Sequence, residues 1–260
     1  MQAEVSGLGL GASLFFVALA IALSYWRRLR IEGTIAWSAG RAMVQLLLVG
    51  AALVLVLDPA RPMALAWAWV AVMLLFAAFT VRRRVPEVPK IFWLALLAYV
   101  AAAAISIGIL FGLGVFSLDA RTLIPLAGMM VGNSMTATVV AARRVVEELR
   151  DKRDEVEARL SLGQPSSVAA RPYLAAALRT ALIPQIETTK AVGVVFLPGA
   201  MTGMILAGVS PLLAVKVQIV VMYLVLGSVA TTVTVVGLGT VKLLFTRDHR
   251  LIRLVRQAES

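Results

Sequence analysis

The sequence predicts an all-α, polytopic membrane protein of about seven transmembrane helices, with its N-terminus out, its C-terminus in and the fifth helix extended into the cytoplasm. Three observations predict it. Of 260 residues 60% are apolar, with a mean hydropathy of +0.91, against roughly 45–50% in soluble chains. The apolar residues fall into runs of about 17–25, the length that crosses some 30 Å of hydrocarbon at 1.5 Å per residue. Basic residues gather in alternate loops, as they do on the cytoplasmic side of membrane proteins.

The runs, in order, are Val5 to Trp26, Thr34 to Leu57, Met63 to Val81, Ile91 to Phe116, Leu123 to Ala142, Ile183 to Ala207 and Pro211 to Phe245. The first is expected to remain as a span, since no basic segment precedes it and its apolar run is too long for a cleavable signal. Its GLGLG stretch, Gly7 to Gly11, lacks the strand and acidic partner of a dinucleotide fingerprint and fits close helix packing instead.

Orientation follows from the short loops. One side receives Arg27, Arg28, Arg30 and Arg41, then Arg82, Arg83, Arg84 and Lys90, then the basic residues from Arg143 to Lys190, and finally Lys242, Arg247, Arg250, Arg253 and Arg256. The other side holds only Arg61 and Arg121. The net charge of +11 is therefore a topology signal rather than a mark of nucleic-acid binding.

Chemistry is excluded more readily than assigned. The chain has no cysteine and one histidine, His249 in the tail, which removes thiolate sites, His-based metal clusters and Ser-His catalysis from the spans. Asp58 and Asp119 fall in outward loops, and there is no phosphate-binding G-x-x-x-x-G-K-[ST] loop. The chain is expected not to be an enzyme and to carry no cofactor. A retinal protein is excluded too: Lys216 lies near the outer end of its span, and the third span has no carboxylate counter-ion.

From Met129 to Gly163 a helical pattern passes from apolar to densely charged without a breaker. Val145, Val146, Leu149, Val156 and Leu160 recur at helical spacing, and Glu148–Lys152 and Glu155–Arg159 are i,i+4 pairs. The pattern predicts a continuous helical arm from Arg143 to Leu162, about 30 Å long, which fits either a solvated hairpin arm or a rigid lever whose apolar stripe meets a cytoplasmic partner. Pro172 to Leu182 predicts a short helix along the membrane surface, after which the sixth span starts at Pro184.

Polar residues inside spans usually face protein or water. Gly128, Gly132 and Thr136 form a small-residue stripe on the fifth span. Asn133, with Met129 on its side, fits either an interhelical hydrogen bond or a solute path. Glu187 and Lys190, at i,i+3 on the sixth span, fit either a functional pair or interfacial snorkelling. Pro198 and Gly199 should kink or unwind that span near mid-membrane, as at transport sites, although Gly199 and Gly203 also suit helix packing. No His, Cys or carboxylate cluster is available to hold a bare transition metal, so any metal site is left undefined.

The segments RAMVQLLLVG (Arg41 to Gly50), GMMVGNSMTA (Gly128 to Ala137), EVEARLSLG (Glu155 to Gly163), AVGVVFLPGAMTGMILAGVSP (Ala191 to Pro211) and QIVVMY (Gln218 to Tyr223) resemble the ABC-transporter permease subunits associated with bacterial iron export and plant aluminium tolerance. The likeness runs in order from the second span to the seventh. It implies a permease in the bacterial inner membrane, an exporter of iron or another metal or its complex. Two copies would assemble with two copies of a separate ATPase subunit, which would carry ATP and Mg. A stand-alone secondary transporter and a non-transporting membrane scaffold are the alternatives. Residues 1–260 would then form one permease domain with a cytoplasmic coupling segment at 143–183. In that segment Glu157, Ala158 and Gly163 resemble the start of the E-A-A…G coupling loop of importer permeases, though Arg159 replaces the second Ala. Arg171 and Tyr173 complete the expected ATPase contact, while Met129, Asn133, Thr136, Glu187, Lys190, Pro198 and Gly199 form the expected substrate path.

Overall fold

The computed structural model describes residues 7–58, 60–246 and 248–252. Val5 of the first span and Arg247, Arg253 and Arg256 of the basic tail lie outside the described residues, as do the side chains of Gly7 to Leu10. The chain is all-helical: α1 (Gly7–Trp26), α2 (Glu32–Val56), α3 (Ala64–Arg84), α4 (Ile91–Gly112), α5 (Ala120–Asp151), α6 (Arg153–Ser161), α7 (Ser166–Ala169), α8 (Arg171–Ala191), α9 (Gly199–Leu206) and α10 (Pro211–Leu244). Among the described residues, α2, α3, α4, α5 and α10 are long and apolar enough to cross a membrane. The α1 stretch Gly11–Trp26 is apolar but shorter, and the expected sixth span is divided between the end of α8 and α9.

Helices α5 and α10 form the centre of the bundle. α3 and α8 pack on α5, while α4, α8 and α9 pack on α10. The core is built from small and branched side chains such as Ala77, Ala98, Ala127, Val145 and Val236, because helices in lipid gain by close backbone approach rather than by escaping water. Gly237 and Gly239 of α10 make that approach possible. A methyl group at Gly237 would lie 2.6 Å from Leu178 Cδ2 on α8, and one at Gly239 would collide with Leu94 of α4. Across the same interface the Ser106 and Ser228 hydroxyls are 3.0 Å apart and buried. Helices α1 and α2 form a hairpin, tied by the Ser24 hydroxyl donating to Glu32 at 2.9 Å. No residue of α2 is buried.

The fifth helix begins at a capping box: the Asp119 carboxylate accepts from the Thr122 amide at 2.9 Å while Thr122 Oγ1 accepts from the Asp119 amide at 3.4 Å. Burial pushes that carboxyl up, but the Thr122 amide, the Ser117 and Thr122 hydroxyls and the Arg121 amide together hold it below its ordinary pKa.

Two expectations change at the opposite, basic end. The arm is not one straight helix: α5 ends at Asp151, Lys152 leaves helical geometry (φ −106°, ψ 26°), and α6 restarts at Arg153. Tertiary contacts override the local pattern there. Val156 is fully buried, and the Arg153 guanidinium donates to the Leu251 and Ile252 carbonyls, each at 3.3 Å. The charge pairs shift accordingly, to Lys152–Glu155 (2.9 Å) and Arg153–Glu157 (2.6 Å). The apolar stripe of Val145, Val146, Leu149 and Val156 is buried within this chain's own core, so it needs no partner to cover it.

The second change concerns Pro172 to Leu182. No separate surface helix precedes the sixth span, since α8 runs unbroken from Arg171 to Ala191 through Pro184. A proline removes one backbone hydrogen bond, and packing of Tyr173, Ala177 and Ala181 along the helix outweighs that loss.

Candidate functional site: a mid-membrane cleft and a basic-side platform

The chain breaks between α8 and α9, and a cleft of about 270 Å³ lies against the break. Gly193, at φ +83°, turns the chain out of α8, and its amide donates to the Phe196 carbonyl at 3.0 Å. Pro198, in extended geometry, then opens α9 without a side-chain cap. The expected interruption at Pro198 and Gly199 is therefore a full break spanning residues 192–198.

Met129 and Asn133 of α5, Gln185, Thr188 and Thr189 of α8, Pro198, Gly199 and Ala200 at the start of α9, and Gln218, Val221 and Met222 of α10 line the cleft. Asn133 lies ten residues inside Arg143, about 15 Å along the helix and so near the middle of a roughly 30 Å hydrocarbon core. Its amide donates to the Met129 carbonyl at 2.7 Å, which leaves its side-chain oxygen free. Thr188 and Thr189 donate back to the Pro184 and Gln185 carbonyls, both at 2.8 Å. Gln218 is only 8% exposed, and its Oε1 is buried without a hydrogen-bond partner.

Four of the seven residues expected on a path, Met129, Asn133, Pro198 and Gly199, thus meet around one cavity. Glu187 and Lys190 pair with each other at 2.9 Å, are well exposed and do not line it. Thr136, also exposed, does not line it either. No group of three or more His, Cys, Asp or Glu able to hold a metal occurs among the described residues.

At the basic end α6, the start of α8 and the chain after α10 form a platform. The Tyr173 hydroxyl donates to Glu155 Oε2 at 2.9 Å, and the Arg159 guanidinium lies 6.0 Å from the Tyr173 ring. Hydrogen bonds from Lys152 and then Tyr173 hold the Glu155 carboxyl below its ordinary pKa. Burial, with the bond to Glu155, pushes the Tyr173 phenol above its own. Phe245 and Leu251 form an antiparallel bridge that presents His249 to Ser166, with Oγ and Nδ1 2.9 Å apart. Between this turn and α6 runs a groove of about 680 Å³ lined by Arg153, Glu157, Gly163, His249 and Arg250. Ala158 is exposed on the same helix, and Arg171 is exposed at the first position of α8. Gly163 adopts φ +85°, where its amide and that of Gln164 bond back to Leu160 and Arg159 and close the end of α6.

A model of UPF0014, described as an uncharacterised protein family, matches residues 8–245. The chain belongs to the UPF0014 family. It is 37% identical over 221 residues to "UPF0014 membrane protein STAR2" of Oryza sativa subsp. japonica, covering 84% of this chain and 76% of that protein. It is 36% identical to "Protein ALUMINUM SENSITIVE 3" of Arabidopsis thaliana, covering 84% and 79%. It is 30% identical to "Probable iron export permease protein FetB" of Escherichia coli (strain K12), covering 96% of each. No solved structure matches the chain. These relatives agree with a multi-pass membrane protein whose family includes a member named as a permease.

Within this UPF0014 fold, sequence reasoning missed Gln185, Gln218, Thr188 and Thr189. Gln218 carried a signal, as an amide inside an apolar span, and QIVVMY was already conspicuous. Its convergence with Asn133 was invisible because the two residues are 85 positions apart on different helices.

Proposed function

We propose that this protein is the permease subunit of an ATP-driven ABC exporter of iron or another metal or its complex. The observation that carries the reading is the cleft at the α8–α9 break. It is a mid-membrane cavity, mostly apolar but with Asn133, Gln185, Thr188, Thr189 and Gln218 in its wall, bounded by α5 and α8, the two helices that also reach the basic-side platform. Broken helices at that depth are used by transporters to expose backbone groups to a solute.

The basic end faces the cytoplasm, N-terminus out and C-terminus in, by the distribution of Arg and Lys. A separate ATPase subunit, with ATP and Mg bound to it, docks on the platform of residues 143–183 through Glu157, Ala158, Gly163, Arg171 and Tyr173. Closure of the ATPase shifts α6 and the head of α8 together, and the shift tilts α8 against α5 around Asn133, alternating access to the cleft. Met129, Pro198 and Gly199 form the path with Asn133; Thr136, Glu187 and Lys190 act at its margins. Two permeases pair. The name of the Escherichia coli relative supports the metal export part of this reading.

Co-purification of the full chain with its ATPase subunit, followed by reconstitution into liposomes, tests the proposal. ATP-dependent movement of iron that requires both subunits is expected. Transport by the permease alone would instead establish a secondary transporter.

A further inference from the structure

The turn between α3 and α4 encloses another cavity, of about 450 Å³, at the basic end of the bundle. Arg82, in the last turn of α3, and Lys90, immediately before α4, line it together with Pro86, Pro89 and the exposed Trp93. Neither cation enters any ion pair found among the described residues. No acidic side chain lines the cavity. Glu87, the carboxylate of the same turn, is not in its wall, and its charge acts on Arg150 of α5. Two unpaired positive charges therefore share one hollow.

The hollow is preformed. Val81, Val85, Val88 and Ile91 anchor the turn in the core, the Arg84 carbonyl accepts from Arg143 Nε of α5 at 2.9 Å, and Pro86 and Pro89 restrict the backbone. Lys90 is held at φ 56°, ψ 19°, left-handed geometry that a side chain of this kind rarely adopts. Such strain persists where the surroundings over-determine it, and it gathers at binding sites. Arg83, by contrast, lies 5.0 Å from the Phe79 ring and is outside the cavity wall.

Position decides what fits. Since α3 and α4 are each long and apolar enough to cross a membrane, the turn that joins them lies at the level of the lipid headgroups. Trp93, in the first turn of α4, has the depth that indole rings favour, and Leu97 and Val100 continue from it as an exposed apolar stripe. From Lys90 to Val100 is about 15 Å along the helix, the depth of one leaflet of a roughly 30 Å core. Basic pockets between spans at the membrane surface hold anionic headgroups.

We propose that the α3–α4 hollow is a binding site for an anionic phospholipid, whose phosphate sits between Arg82 and Lys90 and whose acyl chain lies along Trp93, Leu97 and Val100. The site is apart from both the solute cleft and the coupling platform, so it holds whatever solute crosses.

The test is equilibrium binding to the full-length protein in mild detergent, with phosphatidylglycerol, phosphatidylcholine and glycerol 3-phosphate as probes. Wild type should prefer phosphatidylglycerol to phosphatidylcholine, and glycerol 3-phosphate should not displace it. Arg82→Gln with Lys90→Asn removes both charges, and asparagine tolerates left-handed geometry. Phosphatidylglycerol affinity should then fall roughly thirtyfold, as expected for two cations beside an anionic headgroup. Arg82→Gln alone, on a regular helix, should cost about fivefold and keeps the test open if the turn itself is disturbed. Arg28→Asn with Arg30→Asn removes two charges from the α1–α2 loop at similar backbone geometry and should bind as wild type does. Equal losses in the two double variants would reduce the hollow to part of a diffuse basic belt and overturn the proposal. Displacement of the lipid by glycerol 3-phosphate would overturn it in favour of a free-phosphate site. Unchanged lipid affinity with loss of the co-purifying ATPase subunit would overturn it in favour of a protein contact.

Discussion

The Tyr173 hydroxyl donates a 2.9 Å hydrogen bond to Glu155 Oε2, joining the first turn of α8 to α6 across 18 residues of sequence. This bond links the platform to a helix that lines the cleft. Tyr173→Phe removes only the hydroxyl and keeps the ring under Arg159. Transport per ATP hydrolysed should fall roughly fivefold, the lower end of ordinary coupling between sites, while the ATPase still co-purifies. Transport and ATPase assays on one reconstituted preparation read both quantities.

The same bond sets a pH window. Glu155 has a depressed pKa in the folded protein, so its contribution is present above the ordinary glutamate range and is lost as pH falls through the lower folded value. Tyr173 has a raised pKa, so its contribution is present below the ordinary tyrosine value and lost as pH rises through the higher folded one. Coupling should be flat across neutral pH and fall at both extremes. Glu155→Gln should remove the acidic limb and leave the alkaline one, as a pH series of coupling ratios would reveal.

Gly163 closes α6 at φ +85°, a conformation that costs an ordinary residue about 1–2 kcal/mol. Gly163→Val should therefore loosen the end of α6 and lower coupling without emptying the cleft, whereas Glu157→Gln should weaken coupling by removing the charge that pairs with Arg153. ATPase stimulation that stays wild-type in both variants would remove these residues from the docking surface.

Close helix approach makes a separate prediction. Gly239→Val forces a branched side chain onto Leu94 and should destabilise the protein by about 1–3 kcal/mol, visible as a lowered Tm in detergent. Gly132→Ala, where nothing lies within 4 Å, should leave Tm unchanged.

Helix identity and membrane class were legible in the sequence because hydrophobic run length is a local property, and so was an interruption near Pro198–Gly199, although the chain already leaves α8 at Gly193. The bend at Lys152 was not. No breaker stands there, and the cause is tertiary: burial of Val156 and the reach of Arg153 to carbonyls nearly a hundred residues away. The helical continuity through Pro184 was hidden for the same reason. Asn133 and Met129 could be picked out as a polar residue and its neighbour within a span. Gln218, Gln185, Thr188 and Thr189 joined them only once the packing of α8 against α10 was known.

If the cleft around Asn133 is a solute path driven by an ATPase docked at the far end of α5 and α8, Asn133→Leu must impair transport. The decisive experiment is ATP-dependent iron transport by liposomes containing both subunits, with wild type and Asn133→Leu side by side. Asn133→Leu should lower transport about tenfold or more, as expected where a solute-facing hydrogen bond is lost, while ATPase docking and basal hydrolysis persist. Undiminished transport by Asn133→Leu would show that the cleft is not the path.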